Sequence, residues 1–399
     1  MHTALIFRER LLAPSETFIM EQATRLRRYR PVMVGLRRTH PSLQYTQPNI
    51  LLRDGYKFSD KLAASLYRKI PMETDFIRRL RAANPSIIHA HFAIDAVQAL
   101  PIARKLDIPL VVSLHGFDVT SCDNALRKSR AGSHFLRHRE RLLEEATAFI
   151  CVSKFIRDAA LNAGFPEPKL HLHYTGIDCD RFDAIDIPRD PKLILFVGRL
   201  VEKKGCEYLI RAMALVQQHD PEAHLEIIGD GPLRARLESI AAALSIRASF
   251  RGVQDPLEVS RSMARARILC NPSITAPSGD KEGFGMVFAE AQAVGTPPVS
   301  FFHAAIPEVV KHLQTGLLCP EGDICQLATS LRSLLDDSAL WTSMNQKAPG
   351  WVKERFDIVR QTENLELLYD NCVAHHRRAG SASSEQDEAR VRSQAAFQA

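Results

Sequence analysis

Short runs of β-branched and other apolar residues recur along the chain, each followed by a longer stretch whose apolar positions return every three or four residues. The first pattern fits strands buried on both faces and the second fits amphipathic helices, so the alternation predicts parallel sheets covered by helices on both sides. In the first half it predicts strands at Thr3–Phe7, Val32–Gly35, Ile87–Ala90, Leu110–Leu114, Ala148–Val152 and Leu170–His173. Helices are predicted at Glu16–Arg28, Phe76–Ala83, Ala93–Lys105, Phe135–Glu145 and Lys154–Ala163. The segment Phe182–Pro191, with its aspartates and two prolines, reads as a linker. A second alternation starts at Lys192, with strands at Leu193–Val197, Leu225–Ile228, Ala248–Arg251, Ile268–Asn271 and Pro298–Phe301. Its helices are predicted at Cys206–Gln217, Leu233–Leu244, Leu257–Ala266 and Met286–Val294. The result is an α/β protein of two doubly wound domains in tandem. Their strand carboxyl ends face a shared cleft, where ligands of such sheets bind.

A chain of 399 residues is long for one core. Domains are expected over 1–186 and 187–350, with a C-terminal helix over 351–375 packing back on the first domain. The segment 376–399 is rich in Arg, Ser, Ala, Glu and Gln with almost no large apolar residue, and a disordered tail is expected there. No apolar run approaches the roughly 20 residues that span a bilayer. Arg8, Glu9 and Arg10 interrupt any signal-peptide core after Ala4–Phe7. The 8 cysteines are scattered without a C-x-x-C or zinc-like pairing, which suits a reducing cytoplasm.

The net charge of +6 is unevenly placed. Residues 1–190 carry 29 Lys and Arg against 21 Asp and Glu, so the remainder is slightly acidic. Arg25, Arg27, Arg28, Arg30, Arg37 and Arg38 stand in a stretch without acids. Such a patch suits phosphate head groups, a diphosphate-bearing acceptor or an anionic membrane surface, while a solvated helix face is the plain alternative. No nucleic-acid motif accompanies it.

Two segments carry candidate chemistry. In Lys281-Glu-Gly-Phe-Gly-Met-Val-Phe-Ala-Glu290, the carboxylates of Glu282 and Glu290 are separated by a Gly283-Phe284-Gly285 turn and a helix start. Glycines permit close backbone approach, and the free amides of a helix start favour an oxygen-rich group. The two carboxylates suit hydroxyls at two parts of one polyhydroxyl ligand; acids complementing a helix dipole are the plain alternative. In Phe196-Val-Gly-Arg-Leu-Val-Glu-Lys-Lys-Gly205, the backbone is freed at Gly198, and Arg199 and Lys204 supply two cations at a strand's carboxyl end. That pairing suits a diphosphate. His115 follows an apolar strand and precedes Gly116, where a ligand is within reach. Asp118 caps a helix or orients His115, and Ser15 and Glu16 read as a helix cap with an acidic first turn.

Together with Ile228-Gly-Asp-Gly-Pro232 and Phe250-Arg-Gly-Val253, these segments resemble retaining glycosyltransferases of the GT-B fold. More narrowly they resemble glycosyltransferase family 4, whose group 1 domain forms the second half. Ser15-Glu-Thr-Phe18, His89-Ala-His-Phe92, Leu114-His-Gly-Phe-Asp118 and Cys151-Val-Ser153 extend the likeness to members that build bacterial exopolysaccharides. The resemblance covers about residues 1–370 and implies two Rossmann-like domains facing a central cleft. It implies that Arg199 and Lys204 hold a donor diphosphate, that Glu290 accepts from ribose hydroxyls, and that Glu282 with the amides of 283–285 holds the transferred sugar. His115 would lie beside that sugar, and backbone around Arg251–Val253 would meet the base. Ser15, Glu16 and Asp118 fall on the acceptor side. The implied partners are a nucleotide-diphosphate sugar as co-substrate and a glycan or polyprenyl-diphosphate-linked acceptor, with no cofactor, no metal and no nucleic acid. The implied location is the cytoplasm, at the inner face of its membrane.

Two departures from the family pattern stand out. No glycine-rich turn lies between the first strand and Ser15, and Ala304-Ala305 occupies a place where Gly-Gly is common. Two other readings stay open at this point: a sugar-nucleotide epimerase or hydrolase of the same fold, and a catalytically silent nucleotide-sugar-binding partner.

Overall fold

In a computed structural model the chain forms two large parallel sheets with a deep cleft between them, and a two-stranded parallel pair, Arg10–Leu11 with Arg37–Arg38. The structure describes residues 1–11, 16–38, 47–55, 57–69, 75–183 and 187–396. The first sheet comprises β1 (His2–Phe7), β2 (Tyr29–Gly35), β3 (Asn49–Leu51), β4 (Ile87–His91), β5 (Leu110–Leu114), β6 (Ala148–Cys151) and β7 (Leu170–Leu172), in the order β3-β2-β1-β4-β5-β6-β7. The second comprises β8 (Asp190–Val197), β9 (His224–Ile228), β10 (Ala248–Gly252), β11 (Ala266–Cys270), β12 (Pro298–Phe301) and β13 (Leu317–Cys319), ordered β10-β9-β8-β11-β12-β13. In each sheet the order reverses beside its first strand, the topology that opens a crevice at the strand carboxyl ends.

The two-residue period of a strand explains why these runs are apolar throughout. Leu5 and Phe7 enter the cluster that runs through the domain interface, while Ala4 and Ile6 enter a second cluster on the opposite face. Leu195 and Leu269 face that shared core in the second domain, and Ile194, Phe196 and Ile268 face the outer one. Both faces must be covered, and each fully buried Leu or Phe contributes roughly 1.5–3 kcal/mol.

The end of the chain returns to the first domain. A helix over Ser338–Phe356 stops at Asp357, and the last helix, Ile358–Ala396, lays Leu365, Tyr369, Cys372 and Val373 against Ala4, Ile6, Tyr29, Val111 and Ile150. Glu366, 2% exposed, accepts from the backbone amides of Arg27, Arg28 and Tyr29 at 2.8, 2.6 and 3.3 Å. This helix continues to Ala396 where composition predicts a tail without structure; Ala, Glu, Gln and Arg are poor core formers but strong helix formers. The expected linker also begins inside a helix, Cys179–Asp183, with Phe182 buried, and ends within β8.

The cationic run is largely committed within the molecule. Arg25 pairs with Asp178 at 2.5 Å, Arg27 with Glu363 at 3.7 Å, Arg28 with Glu366 and Asp370, and Arg38 with Asp54. An open basic patch over Arg25–Arg38 is therefore not what the fold presents: the cations dock the last helix and adjoining loops. Among the described residues no helix is long and apolar enough to cross a membrane.

Candidate active site

The carboxyl ends of both sheets meet in a cleft of about 880 Å³. Loops after β1, β4, β5 and β6 deliver Arg8, Phe92, His115 and Val152 from the first domain. From the second, the loop after β8 delivers Gly198, Arg199, Lys203 and Lys204, and the Met286–Ala293 helix with its entry loop delivers Glu282, Phe284, Gly285 and Glu290.

The domains are stitched below the cleft by hydrogen bonds. The Ser153 hydroxyl donates to the Gly283 carbonyl at 2.7 Å while accepting from Ile156 N, so one side chain caps the Lys154–Asn162 helix and holds the opposite domain. Glu308, from the second domain, accepts from Lys154 N and Phe155 N at 2.8 and 2.9 Å and from the Tyr174 hydroxyl at 3.0 Å. A carboxylate at that helix start also suits the dipole.

On the second-domain wall, Lys204 Nζ donates to Glu282 Oε2 at 2.5 Å and Lys203 to Asp280 Oδ1 at 3.0 Å. Burial pushes the Glu282 carboxyl up, but Lys204 and Lys203, with the Lys204 hydrogen bond and His303, outweigh it and hold the group at about 2. Arg199 is exposed on the cleft wall and makes no ion pair among the described residues. Glu290 lies one turn into its helix, half-buried, its carboxyl pushed up to about 7 chiefly by burial.

On the first-domain wall, His115 Nε2 is 3.0 Å from His91 Nδ1, with the rings stacked at 5.3 Å. Phe92 and Phe18 flank His115 at 4.5 and 5.2 Å between ring centroids. Burial, with Arg8 and His89 adding, brings the His115 imidazole down to about 3, so it is neutral at physiological pH. Glu16 holds Arg8 through a forked pair, Oε1 at 2.5 Å and Oε2 at 3.2 Å, while Asp95 takes another Arg8 nitrogen. Phe92 has φ of 71°, a strained value for an aromatic residue, and its ring lies 4.2 Å beneath the Arg8 guanidinium.

Two family models match this architecture in sequence: Glycosyltransferase Family 4 over residues 15–181 and Glycosyl transferases group 1 over residues 180–351. Between them they span the second sheet, all of the first except β1, and the cleft lining except Arg8. The chain belongs to the group 1 glycosyltransferases of family 4. Among its relatives is the amylovoran biosynthesis glycosyltransferase AmsK of Erwinia amylovora, 30% identical over 65% of this chain and 63% of that protein. The putative colanic acid biosynthesis glycosyltransferase WcaL of Escherichia coli K12 is 28% identical over 70% of this chain and 68% of its own length. The chain thus spans roughly two thirds of the relatives it matches. Among solved structures, Anabaena Alr3699/HepE in complex with UDP and glucose aligns with a TM-score of 0.74 at 19% identity, over 93% of this chain and all of that one. Sucrose-phosphate synthase from Thermosynechococcus elongatus aligns with a TM-score of 0.74 at 20% identity, over 94% of this chain and 100% of that one. Such likeness establishes the GT-B fold.

Within this group 1 glycosyltransferase, the cleft gathers His115, Gly198, Arg199, Lys204, Glu282, Phe284, Gly285, Glu290 and Glu16. Four residues expected at the site, Gly283, Asp118, Arg251 and Val253, do not line the cleft. Gly283 does not line the cleft: a Cβ there would stand 2.1 Å from the His115 carbonyl oxygen, so the glycine serves the approach of one domain to the other. Asp118, 3% exposed, is a buried tie that accepts from Ala93 N, His115 N and Gly116 N at 2.9, 3.2 and 3.0 Å. Arg251 turns to Glu226 and Glu258 at 3.2 and 3.7 Å, and Val253 is 69% exposed outside the cleft; Gln254 takes the wall position. Ser15 lies outside the described residues. Sequence reasoning missed Arg8, Arg181 and Glu21, which also line the cleft. Arg181 and Glu21 pair with each other across 160 residues, and only Arg8, one residue past β1, carried a positional signal.

Ala304 has φ of 47° and Ala305 φ of −81°. The methyl group of Ala304 therefore sits in the left-handed region where the Gly-Gly pattern avoids strain. Among the described residues no group of three or more His, Cys, Asp or Glu side chains is placed to hold a metal ion.

Proposed function

We propose that this chain transfers a glycosyl unit from a nucleotide-diphosphate sugar to a glycan or lipid-linked acceptor, keeping the anomeric configuration, in the synthesis of a cell-surface polysaccharide. The observation that carries the proposal is the cation-and-carboxylate wall of the cleft: Arg199 and Lys204 beside Glu282, with Glu290 one turn further on. The UDP and glucose bound by the Anabaena neighbour, and the exopolysaccharide names of the relatives, support donor class and setting.

In this mechanism the diphosphate lies against Arg199 and Lys204, which offset the negative charge that grows as it departs. Glu282, ionised throughout the physiological range, accepts from hydroxyls of the transferred sugar, and Glu290 accepts from the ribose. Neutral His115 presents a ring edge without a competing charge. Catalysis then rests on positioning and fixed electrostatics rather than on a metal, so transfer persists in EDTA. Work on a lipid-linked acceptor implies peripheral contact with the inner membrane face, for which sedimentation with anionic vesicles at low salt is the check.

The test is incubation with a panel of nucleotide sugars and acceptors, with anomeric protons of the product followed by NMR. Net transfer with retained configuration supports the proposal. Free sugar released at full rate without acceptor supports a hydrolase, and binding without turnover supports a silent partner.

A further inference from the structure

Two groups in the cleft have unmet hydrogen-bonding capacity among the described residues. The Nε–H of Arg181 is buried without a partner, and the Glu290 carboxylate makes no hydrogen bond or ion pair. A buried donor without an acceptor is costly and rare, and it calls for an explanation. The two residues sit on helices in contact, Cys179–Asp183 and Met286–Ala293. Arg181 is held from the other side: its terminal nitrogen donates to Glu21 Oε1 at 2.7 Å, and its guanidinium stacks 4.7 Å from the Phe182 ring centroid. A guanidinium fixed at two points, with one N–H left over beside an unbonded carboxylate, matches a vicinal diol. One hydroxyl oxygen accepts from the free N–H while both hydroxyls donate to the carboxylate.

We propose that Arg181 completes the ribose subsite with Glu290, donating its Nε–H to a ribose hydroxyl while Glu21 holds the guanidinium in place. This rests on the donor reading above and names a residue that reading did not use. Electrostatics point the same way. Burial pushes the Glu290 carboxyl up to about 7, Arg181 is the largest opposing influence, Glu21 adds to the rise, and Lys204 lowers it. These charges act on it from the Cys179–Asp183 helix, the Thr17–Thr24 helix and the loop after β8, all of which line the same cleft. A diol that favours ionised Glu290 binds better as pH rises through about 7.

Calorimetric titration of wild type, Arg181→Met and Arg181→Lys with UDP, GDP and their 2′-deoxy forms, between pH 5.5 and 8.5, tests this. Wild type is expected to bind one of the diphosphates, to lose affinity on acidification, and to discriminate against the 2′-deoxy form. Arg181→Met is expected to weaken binding about tenfold, to reduce the ribo-to-deoxy ratio severalfold without abolishing it, since Glu290 still accepts from the diol, and to move the pH midpoint upward. Arg181→Lys keeps the charge, so it restores the midpoint while discrimination stays reduced. Should Arg181→Met fail to fold by circular dichroism, Arg181→Lys carries the test through that split. Unchanged discrimination and midpoint in the variants, with wild type binding normally, overturns the assignment of Arg181 alone. Equal loss for ribo and deoxy forms makes Arg181 merely structural and also overturns it. Absence of binding of either diphosphate to wild type overturns the donor reading and this assignment with it.

Discussion

Replacing Lys204 with Met isolates what the central ion pair does for the fold. Glu282 is 8% exposed, and its carboxyl is held at about 2 rather than 4.5 because Lys204 and Lys203 outweigh its burial. A carboxyl held this far below its ordinary value contributes on the order of a few kcal/mol in favour of the folded state. The sign follows from a depressed carboxyl: the contribution is fully present above about 4.5 and is lost as pH falls through about 2. In Lys204→Met the carboxylate stays buried with Lys203, itself bonded to Asp280. The expected cost at pH 7 is about 3 kcal/mol, in keeping with one-sided removal of a buried pair. For a domain of this size that lowers the melting temperature by about 6–12 °C. Without Lys204 the Glu282 carboxyl should sit higher than it does in wild type, so the gap to wild type narrows as pH falls from 7 to 5. Lys204→Met with Glu282→Gln removes both charges and should recover most of the loss, though not transfer. Thermal unfolding followed by intrinsic fluorescence at both pH values checks all of this. A Lys204→Met melting point within 2 °C of wild type at pH 7, or a double variant no better than the single, would refute the reasoning.

Gly283→Ala places a Cβ against the His115 carbonyl and should cost about 1–3 kcal/mol and most of the transfer activity, read by thermal melts and product formation. Ala304→Gly should stabilise by about 0.5–1 kcal/mol, because relief of a left-handed alanine exceeds the added freedom of the unfolded chain. Ala305→Gly, at ordinary negative φ and fully buried, should destabilise by about 1 kcal/mol, and urea titration of the two variants separates them. Glu366→Ala leaves the amides of Arg27, Arg28 and Tyr29 without their acceptor and should cost about 3 kcal/mol, with faster hydrogen exchange at those three amides.

The strands that flank the cleft were legible because burial on both faces writes a continuous apolar run, as in Leu193–Val197 and Leu110–Leu114. The cation loop and the Glu282–Glu290 segment were legible because each is a short local pattern at a strand's end. The three-residue strand Asn49–Leu51 and the helix Phe58–Lys69 were not, since the first is too brief for a period and the second leaves Leu62 and Leu66 exposed. Sequence spacing could suggest that Gly283 allows close approach, but not that a carbonyl of the other domain is what approaches. The turning of Arg251 toward Glu226, and of Arg25, Arg27 and Arg28 toward acids as distant as Asp178, Glu363 and Glu366, follows from tertiary neighbours that no local pattern encodes.

The return of the last helix to the first domain bears on the order in which the chain matures. The face of the first sheet formed by Ala4, Ile6, Val111 and Ile150 is emitted early, yet Leu365, Tyr369 and Val373, which cover it, emerge only after the whole second sheet. At about 5–20 residues per second, the wait between the first sheet and its cover is on the order of 10–40 s. The second domain, contiguous between the two crossings, has its own sheet complete before then. The domain made first is thus finished last. The same return joins Ile177 to Phe356 and Ile358 through hydrogen bonds of 2.6 and 2.9 Å, so the crossing between the domains is also closed only after the second domain has been made.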